Sequence, residues 1–372
     1  MKITGFEVIP LKGPTTILKV TTDEGITGWG EPLDYGHGGV VAQAIRQMFE
    51  YLIGKDPRQV EDHWQQIYRE TYSRDMPIWV GALSGIEQAL WDILGKSLNV
   101  PVWRLLGGSL RDRIRVYSHY GGETPEACAQ NAKRCVERGF TAMKTTPFGA
   151  ARPIENPKFV EDAVAKVAAV REAVGSGIDL AMDFHRRLTP AMAIRMLKAL
   201  EPYHIMFAEE PCHPENDDAL LNIARSTATP IATGERHTTR WGFREIIERE
   251  AAAVLQPDIR HSGGISELRK IAAMAEIHYI HLAPHSAAGA IGVAASIQVD
   301  ATIPNFLIQE YGGGNGEGLF KKPLTFKDGY IELPQGPGLG FEVDEEALKN
   351  WKEQEPYRRQ MWRHEDGSVA DH

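Results

Sequence analysis

The hydrophobic pattern of the chain changes near residue 114. From there, short apolar segments recur, and a longer stretch of helical periodicity follows each one, for example 191–200 and 264–277. Eight segments fit this description: 114–120, 141–147, 178–185, 205–211, 230–235, 254–258, 279–285 and 305–310. Eight strand–helix repeats predict an α/β fold with a parallel barrel. An open doubly wound sheet is less favoured, because the Tyr-Gly-Gly after the first segment is not the G-x-G-x-x-G of a dinucleotide-binding turn.

The region before residue 114 has a different pattern. Residues 17–30 predict a β-hairpin with its turn at 23–25. Helical periodicity extends over 40–68, and a further helix is predicted to begin at Ser84, where Glu87 completes a capping box. Strands followed by helices indicate a separate α+β unit.

The end of the chain returns to hairpin signals. Lys327-Asp328-Gly329 predicts a turn, and a helix is expected near Asp344. The Gly-rich stretch 311–318 lacks G-K-[ST], so we interpret it as a loop and not as a phosphate site. We therefore expect three parts: an α+β unit at 1–113, the barrel at 114–320, and a segment at 321–372 that leaves the barrel and packs on the first unit.

Polar side chains close the predicted barrel strands. From the second segment onward they are Lys144, Asp183 with His185, Glu209, Glu235, Asp258, His285 and Glu310. From Asp183 to Glu310, successive strand-end residues lie 23 to 27 positions apart. Because barrel enzymes build their active sites at the C-terminal ends of the strands, this regular spacing predicts one shared site at the barrel mouth.

Three of these residues predict a metal site. Asp183, Glu209 and Glu235 close adjacent strands, and three converging carboxylates would repel one another unless a cation lay between them. Oxygen ligands favour Mg²⁺. Zinc is less favoured, because the first strand has no H-x-H and the site offers no Cys ligand.

The histidines predict proton transfer. Asp258 and His285 end neighbouring strands, where a carboxylate can orient an imidazole as a general base near neutral pH. Asp183 and His185 lie two positions apart in a predicted strand, so both are expected on one face. An acid or base on each side of a metal suits chemistry at the carbon next to a carboxylate, where the cation stabilises the resulting enediolate.

Composition narrows the function classes. The net charge is −9 with no long charge runs, so nucleic-acid or anionic-membrane binding is not expected. Three cysteines without a C-x-x-C are expected to be reduced and buried. The N-terminus shows no signal-peptide pattern and no apolar run is long enough for a membrane span, so we expect a cytoplasmic protein.

These motifs resemble the enolase superfamily, mandelate racemase subgroup, and within it the acid-sugar dehydratases. The resemblance rests on DEGITGWGEP at 23–32, GIEQALWDILGK at 85–96, WRLLGG at 103–108, WRHEDGSVADH at 362–372, and the DFH, EEP, GE, QPD and APH motifs between them. It implies a (β/α)7β-type TIM barrel with a capping domain built from the N-terminal region and the C-terminal tail. It also implies a homo-oligomer.

The resemblance further implies Mg²⁺-dependent dehydration of an acid sugar, such as the aldonate D-galactonate, to a 2-keto-3-deoxy acid. Asp183, Glu209 and Glu235 would bind the metal. His285, oriented by Asp258, would abstract the α-proton, and His185 would protonate the departing β-hydroxyl; substrate configuration at C2 could exchange these two roles. Glu310 would hydrogen-bond the substrate carboxylate oxygen that gains charge, with specificity from loops near 14–16 and 33–39. Apart from the resemblance, Lys144, Arg236 and His37 are candidates for substrate binding from their predicted places at the barrel mouth.

Alternatives remain open at this point. Racemases and lactonising enzymes of this kind carry K-x-K on the second strand, but here the sequence is Lys144-Thr145-Thr146. A racemase, epimerase or cycloisomerase on the same scaffold remains the main rival, ahead of a Schiff-base aldolase and a non-catalytic binding protein. Lys144 fits a site role or a structural role equally well. Strand alternation separates Glu209 from Glu210, and the sequence alone does not choose between them.

Six other histidines are expected on loops near the mouth or within barrel strands. His37, His213, His237 and His261 are expected on loops near the mouth, with His37 and His213 as candidates for contact with substrate hydroxyls. His119 and His281 are expected to be packed within barrel strands.

Overall fold

The N-terminal unit begins with a three-stranded antiparallel sheet. In the computed structural model, which describes residues 1–13, 15–286, 289–312, 314–351 and 361–371, the strands are β1 (Ile3–Leu11), β2 (Thr15–Thr22) and β3 (Thr27–Gly30). The predicted hairpin is confirmed by the antiparallel β2–β3 pairing. Pro14, in one of the predicted specificity loops, lies outside the described residues.

Four helices follow this sheet, and the first and third of them contact it. They are α1 (Gly38–Leu52), α2 (Val60–Glu70), α3 (Pro77–Ser97) and α4 (Val102–Leu105). The periodic stretch at 40–68 is thus two helices. Helix α3 lies very close to β3: a Cβ on Gly30 would lie 1.9 Å from the carbonyl oxygen of Gly85, so only glycine fits there.

The predicted helix start at Ser84 is wrong. Helix α3 begins seven residues earlier with Pro77 in its first turn, where the missing N–H of proline costs no hydrogen bond. Ser84 is buried inside the helix, and its hydroxyl donates back to the carbonyl oxygen of Val80 at 2.7 Å. The capping-box pattern therefore occurs here without a helix terminus.

The second unit contains the eight predicted strands with seven helices between them. The strands are β4 (Arg113–His119), β5 (Ala142–Thr145), β6 (Asp179–Asp183), β7 (Phe207–Glu209), β8 (Ile231–Thr233), β9 (Val254–Leu255), β10 (His281–Leu282) and β11 (Gln309–Glu310). The helices are α5 (Pro125–Glu137), α6 (Pro157–Val174), α7 (Pro190–Leu200), α8 (Asp217–Arg225), α9 (Thr239–Glu248), α10 (Ile265–Glu276) and α11 (Ala290–Asp300). This is the (β/α)7β order.

The strands pair in parallel and in chain order from β4 to β10, and β11 pairs with β4 on the other side. Between β10 and β11 the strand ladders do not close the ring, and the link there is a parallel bridge between Leu282 and Phe306. All eight strand segments of the sequence prediction are confirmed, with shorter regular spans than their apolar runs.

The interior of the barrel is filled by one buried side chain from each strand segment. These are Tyr117, Ala142, Ala181, Phe207, Ala232, Val254, Ala283 and Ile308. Because side chains alternate along a strand, the residue two positions further on points the same way, toward the C-terminal mouth. A larger apolar core fills the space between the strands and the surrounding helices.

The C-terminal region contacts both units. Strands β12 (Phe326–Lys327) and β13 (Tyr330–Glu332) form the predicted hairpin, but β13 pairs antiparallel with β4 of the barrel. Helix α12 (Glu345–Leu348) contacts the first unit through Lys19 and Glu345, 2.6 Å apart. Thus only part of this region packs on the first unit, as expected, while another part pairs with the barrel. The domain boundaries at 113/114 and 320/321 stay a prediction.

Two predictions about environment can be compared with the described residues. The three cysteines, Cys128, Cys135 and Cys212, are buried and free, as expected. Among the described helices, none has the length and apolar character needed to cross a bilayer.

Candidate active site

A cavity of about 950 Å³ opens at the C-terminal ends of the strands. Strand-end residues of the barrel form one part of its lining. The first unit contributes residues between Leu33 and Val41 and around Ile78, and the C-terminal segment contributes residues of 361–371. Of the predicted site residues, the lining includes His37, Lys144, Asp183, His185, Glu235, Arg236, His285 and Glu310. Glu209 and Asp258 lie directly behind this surface, where they contact Lys144 and His285.

The residues two positions after the interior layer account for most of this site. The interior residues Ala181, Phe207, Ala283 and Ile308 are followed in this register by Asp183, Glu209, His285 and Glu310. The same register gives Lys144 after Ala142. The side chains therefore converge because strand alternation directs all of them into the barrel mouth.

The three carboxylates predicted to bind a metal lie on adjacent strands. Asp183 and Glu209 are register partners at the ends of β6 and β7, and Glu235 follows β8. Asp183 accepts a hydrogen bond from the backbone N–H of His185 at 2.7 Å. Glu209 accepts from Gln256 Nε2 at 2.6 Å and forms an ion pair with Lys144.

Burial and mutual repulsion act on these carboxylates. Burial raises the pKa of Asp183 to about 6, with Glu235 adding to the effect and Lys144 opposing it. Burial likewise raises the pKa of Glu209, and the charge on Asp183 adds to it while Lys144 opposes it. For Glu235, burial acts in the same direction, but the cationic His285 and Arg186 hold its pKa below the ordinary value.

These residues fit a hard divalent cation by their chemistry. All three carboxylates offer oxygen ligands, and burial, with a smaller contribution from mutual repulsion, raises the pKa of Asp183 and Glu209, so a cation between them would stabilise their ionised forms. Within the described parts of the chain, no three His, Cys, Asp or Glu side chains converge in metal-binding geometry. The oxygens of Glu209 instead face Lys144, and those of Glu235 face Arg186 and His285.

His285 and Asp258 form the predicted pair. His285 Nδ1 lies 2.8 Å from Asp258 Oδ2, and both side chains are buried. Burial would raise the pKa of Asp258, but Arg260 and His285 hold it well below the ordinary value, so Asp258 is an ionised acceptor. Nδ1 therefore carries the proton, and Nε2 points toward Glu235 Oε2 at 3.2 Å and Glu310 Oε2 at 3.7 Å.

The surrounding charges favour the protonated form of His285. Burial alone would lower its pKa, but Glu310, Glu235 and Asp258 raise it to about 10. A base near neutral pH, as the sequence suggests, thus needs positive charge close to these carboxylates.

His185 does not share a strand with Asp183, and that prediction is wrong. Strand β6 ends at Asp183, and His185 and Arg186 both adopt positive φ angles, 50° and 65°. The turn is stabilised by the hydrogen bond from His185 N–H to Asp183 Oδ1. His185 nevertheless lines the cavity, because the turn directs it to the mouth.

Lys144 and Glu310 are joined in one buried cluster. Lys144 Nζ lies 2.6 and 2.7 Å from the two oxygens of Glu209 and 2.8 Å from Glu310 Oε1. Burial alone would lower the pKa of Lys144, but these carboxylates raise it well above its ordinary value, so the side chain is a cation. Lys144 is therefore an electrostatic component of the site.

Adjacent acidic residues Glu209 and Glu210 face different surroundings. Glu210 has a φ of 44° and accepts from the hydroxyl of Thr233 at 2.7 Å and from Gly234 N–H at 3.0 Å, away from Lys144. The geometry therefore separates the two as strand alternation predicts, with Glu209 toward the acidic cluster.

The other predicted histidines are distributed unevenly. His213 and His261 line the cavity, as does exposed His37, while His237 is absent from the described lining. His119 and His281 are not packed residues: His281 is exposed, and His119 Nε2 lies 2.7 Å from Glu310 Oε1 at the cavity edge.

Several functional contacts were missed from the sequence. His119 and Gln256 stand two positions after the interior residues Tyr117 and Val254, so the alternation that gives Glu209 would have found them. Arg186 contacts Glu235, and Arg260 contacts Asp258, from turns that follow the strands. No periodicity marks such turn residues.

The chain was then compared with known proteins. The family described as mandelate racemase / muconate lactonizing enzyme, N-terminal domain, matches residues 11–107, and that described as enolase C-terminal domain-like matches 127–347. Proteins named D-galactonate dehydratase from Variovorax paradoxus (strain S110) and Ralstonia pickettii (strain 12J) are 42% and 41% identical, with all of both chains covered.

Solved structures agree with this. A structure from Agrobacterium radiobacter, provisionally named a galactarate dehydratase and bound to sodium and L-malate, is 31% identical with a TM-score of 0.93, covering 100% of both chains. The barrel with its capping unit, the strand-end acidic residues and these full-length similarities lead to one conclusion. The chain belongs to the enolase superfamily, in the branch of mandelate racemase and muconate lactonizing enzyme.

Proposed function

We propose that this chain is an Mg²⁺-dependent hydro-lyase that dehydrates an acid sugar, an aldonate such as D-galactonate, to a 2-keto-3-deoxy acid. The observation that carries the proposal is that His285, oriented by Asp258, and His185 line one cavity together with Asp183 and Glu235. The names of the two bacterial relatives support the reaction and the substrate.

His285 acts as the base in this proposal. With Nδ1–H donating to Asp258, its neutral form presents a free lone pair on Nε2, which takes the proton from the carbon next to the substrate carboxylate. Asp258 fixes the tautomer and stabilises the imidazolium that forms.

His185 acts as the acid. It lies on the turn after β6, four strands away from β10, whose end carries His285. From there it donates a proton to the β-hydroxyl as the carbon–oxygen bond breaks. The enol product loses the proton of its C2 hydroxyl to solvent, takes a proton from solvent at C3, and so becomes the 2-keto-3-deoxy acid.

Asp183, Glu209 and Glu235 hold the cation in this proposal. When bound, Mg²⁺ supplies positive charge beside the substrate carboxylate and offsets the negative charges that raise the pKa of His285. Lys144 and Arg186, which pair with Glu209 and Glu235 in the structure, are then available to other anionic oxygens.

Glu310, Lys144, Arg236 and His37 bind the substrate. Lys144 is a cation and attracts the substrate carboxylate. Glu310 pairs with Lys144 at 2.8 Å and is hydrogen-bonded to His119 at 2.7 Å, and in this proposal it lies beside the substrate carboxylate. Arg236 and His37 lie at the exposed rim, where hydroxyl groups of the sugar are within their reach.

We also propose a cytoplasmic location and a homo-oligomeric state. Three free, buried thiols fit a reducing compartment. Symmetric assembly is common among soluble enzymes.

A panel of aldonic and aldaric acids tests the reaction. With Mg²⁺, semicarbazide absorbance is expected to reveal a 2-keto product from one acid, and D-galactonate is the first candidate. Chelation and Asp183→Asn are each expected to remove it, because Asp183 lies in the carboxylate cluster. Product that persists in the chelated sample, or no product from any acid, would contradict the proposal.

A further inference from the structure

Asp258 is held by two side chains, and only one of them is His285. Arg260, which is 2% exposed, donates to Asp258 Oδ1 from its backbone N–H at 2.8 Å and from Nε at 3.0 Å, and to Oδ2 from Nη2 at 2.7 Å. The His285 Nδ1–H shares Oδ2. The plane of the Asp258 carboxylate, and with it the direction of the imidazole, is therefore fixed by the planar fork of Arg260.

Arg260 is itself contacted from the first unit. Glu31, directly after β3, is fully buried, and its Oε1 lies 3.4 Å from Arg260 Nη1. The same carboxylate accepts from Gly289 N–H at 2.8 Å and Gly292 N–H at 2.9 Å, at the start of α11. Glu31 thus holds both the arginine behind Asp258 and the helix that follows the His285 segment.

The loop of the first unit that lines the cavity around Leu33 and Tyr35, here called the cavity loop, also contacts Arg260. Leu33 N–H donates to the carbonyl oxygen of Arg260 at 3.2 Å, and the Tyr35 ring lies 5.9 Å from its guanidinium carbon. Leu33 and Tyr35 both line the cavity. One arginine therefore contacts the loop that closes one side of the cavity and the carboxylate that orients His285.

We propose that Glu31 and Arg260 are positioning residues that couple the seating of the cavity loop of the first unit to the alignment of His285. The inference rests on the proposed function in that His285 is the base. Simple charge balance for buried Asp258 is the competing explanation. The two differ for lysine, which keeps the charge but cannot make the two-point contact.

The test uses Arg260→Lys and the nearly isosteric Glu31→Gln in the full chain, with D-galactonate as the probe. Arg240→Lys is the matched control, because Arg240 pairs with buried Glu267 outside the cavity lining. For the two test variants we expect the rate of α-proton exchange at saturating substrate to fall about 10- to 100-fold, with KM changing less. The control is expected to retain the wild-type rate.

A second readout does not depend on turnover. The proton on His285 Nδ1, identified by its absence in His285→Asn, is expected to give a downfield NMR signal that shifts in both test variants and not in Arg240→Lys. A wild-type rate in Arg260→Lys, or an unmoved signal in both test variants, would overturn the proposal. If the wild-type chain exchanges no acid in the panel, the proposed function fails, and the NMR signal alone decides the positioning role.

Discussion

Single residues in this site owe their properties to burial and to neighbouring charge. Asp258 lies 2.8 Å from His285 and is paired with Arg260, so it stays ionised and acts only as an acceptor. Lys144 is equally buried but remains a cation, because two carboxylates lie within 3 Å of its Nζ.

The two histidines are expected to separate the two halves of the reaction. In deuterated water with D-galactonate and Mg²⁺, His285→Asn should lose α-proton exchange by about 10³-fold or more, because the base is gone. His185→Asn should keep exchange but lose the 2-keto product, because the acid for the β-hydroxyl is gone.

Proton NMR of the substrate and semicarbazide absorbance measure these two outcomes. His281→Asn, an exposed histidine on β10, is the matched control and should behave as wild type. Exchange that survives in His285→Asn and disappears in His185→Asn would mean that the base and the acid are interchanged.

Residue-level prediction from sequence succeeds where strand alternation decides orientation. Asp183, Glu209, His285 and Glu310 follow from that rule. It failed at His185, because nothing in AMDFHRR marks the positive φ that ends the strand at Asp183. Strand alternation could not predict the role of Arg260, because its contact with Glu31 joins residues that are 229 positions apart in the sequence.

Among the structural elements, the C-terminal hairpin at 361–371 gives the site an unexpected wall. Its two arms are joined by the Arg363–Val369 bridge and by Ala370 N–H donating to the carbonyl oxygen of Trp362 at 3.1 Å. Asp371 contacts His213 Nε2 at 3.0 Å, and Arg187 lies over the ring of Trp362. The hairpin is thereby fixed to the ends of β6 and β7.

We predict that this hairpin recognises the end of the sugar distant from the carboxylate. Asp371→Asn should raise KM for a six-carbon aldonate about 10-fold, the cost of one hydrogen bond to a charged group, with little change in kcat. A four-carbon aldonate lacks the distal hydroxyls, so its KM should not change.

Steady-state kinetics with both acids measures this. Glu365→Gln is the matched control, since Glu365 lies on the same hairpin but pairs with Arg152 outside the cavity lining. If Asp371→Asn changed KM equally for the six-carbon and the four-carbon acid, the hairpin would not bind the distal hydroxyls.

Element boundaries show why local motifs are insufficient. The Ser84–Glu87 pattern suggested a helix start, but Glu87 instead accepts from Ile265 N–H at 2.7 Å and Ser266 N–H at 2.8 Å of α10. A side chain that the motif assigns to its own helix thus caps a helix of the other unit. The eight strand segments were found because their pattern repeats, whereas such a cross-unit contact has no local signal.

At the scale of the whole molecule, buried polar side chains of the first unit join it to the second. Besides Glu31 and Glu87, Gln88 donates to the carbonyl oxygen of Ile259 at 3.2 Å, and Trp64 of α2 donates to that of Gly263 at 2.9 Å. Since buried polar groups are costly when unpaired, these contacts fix one relative placement of the units.

Burial of Glu87 should make the free energy of unfolding depend on pH. Burial raises the pKa of Glu87 from 4.5 to about 7. The pKa of Glu87 is higher in the folded protein than in the unfolded chain. Its favourable contribution to the free energy of unfolding is therefore present below about pH 4.5 and is lost as the pH rises through about 7. Glu87→Gln should therefore flatten the fall in unfolding free energy over this range.

Urea unfolding of both proteins at several pH values measures this difference. Glu267→Gln, a buried glutamate on α10 paired with Arg240, serves as the comparison. If the free energy of unfolding changed with pH in the same way for wild type and Glu87→Gln, Glu87 would not be the source of the pH dependence.

In the proposed reaction, the residues of the cavity take the α-proton of an acid sugar and then release water from it. The most direct test is NMR of D-galactonate incubated with the wild-type protein and Mg²⁺ in deuterated water. We predict a 2-keto-3-deoxy acid with deuterium at C3, because the enol collects its proton from solvent. Deuterium at C2 of unchanged or epimerised substrate, without keto product, would contradict dehydration and favour a racemase or epimerase.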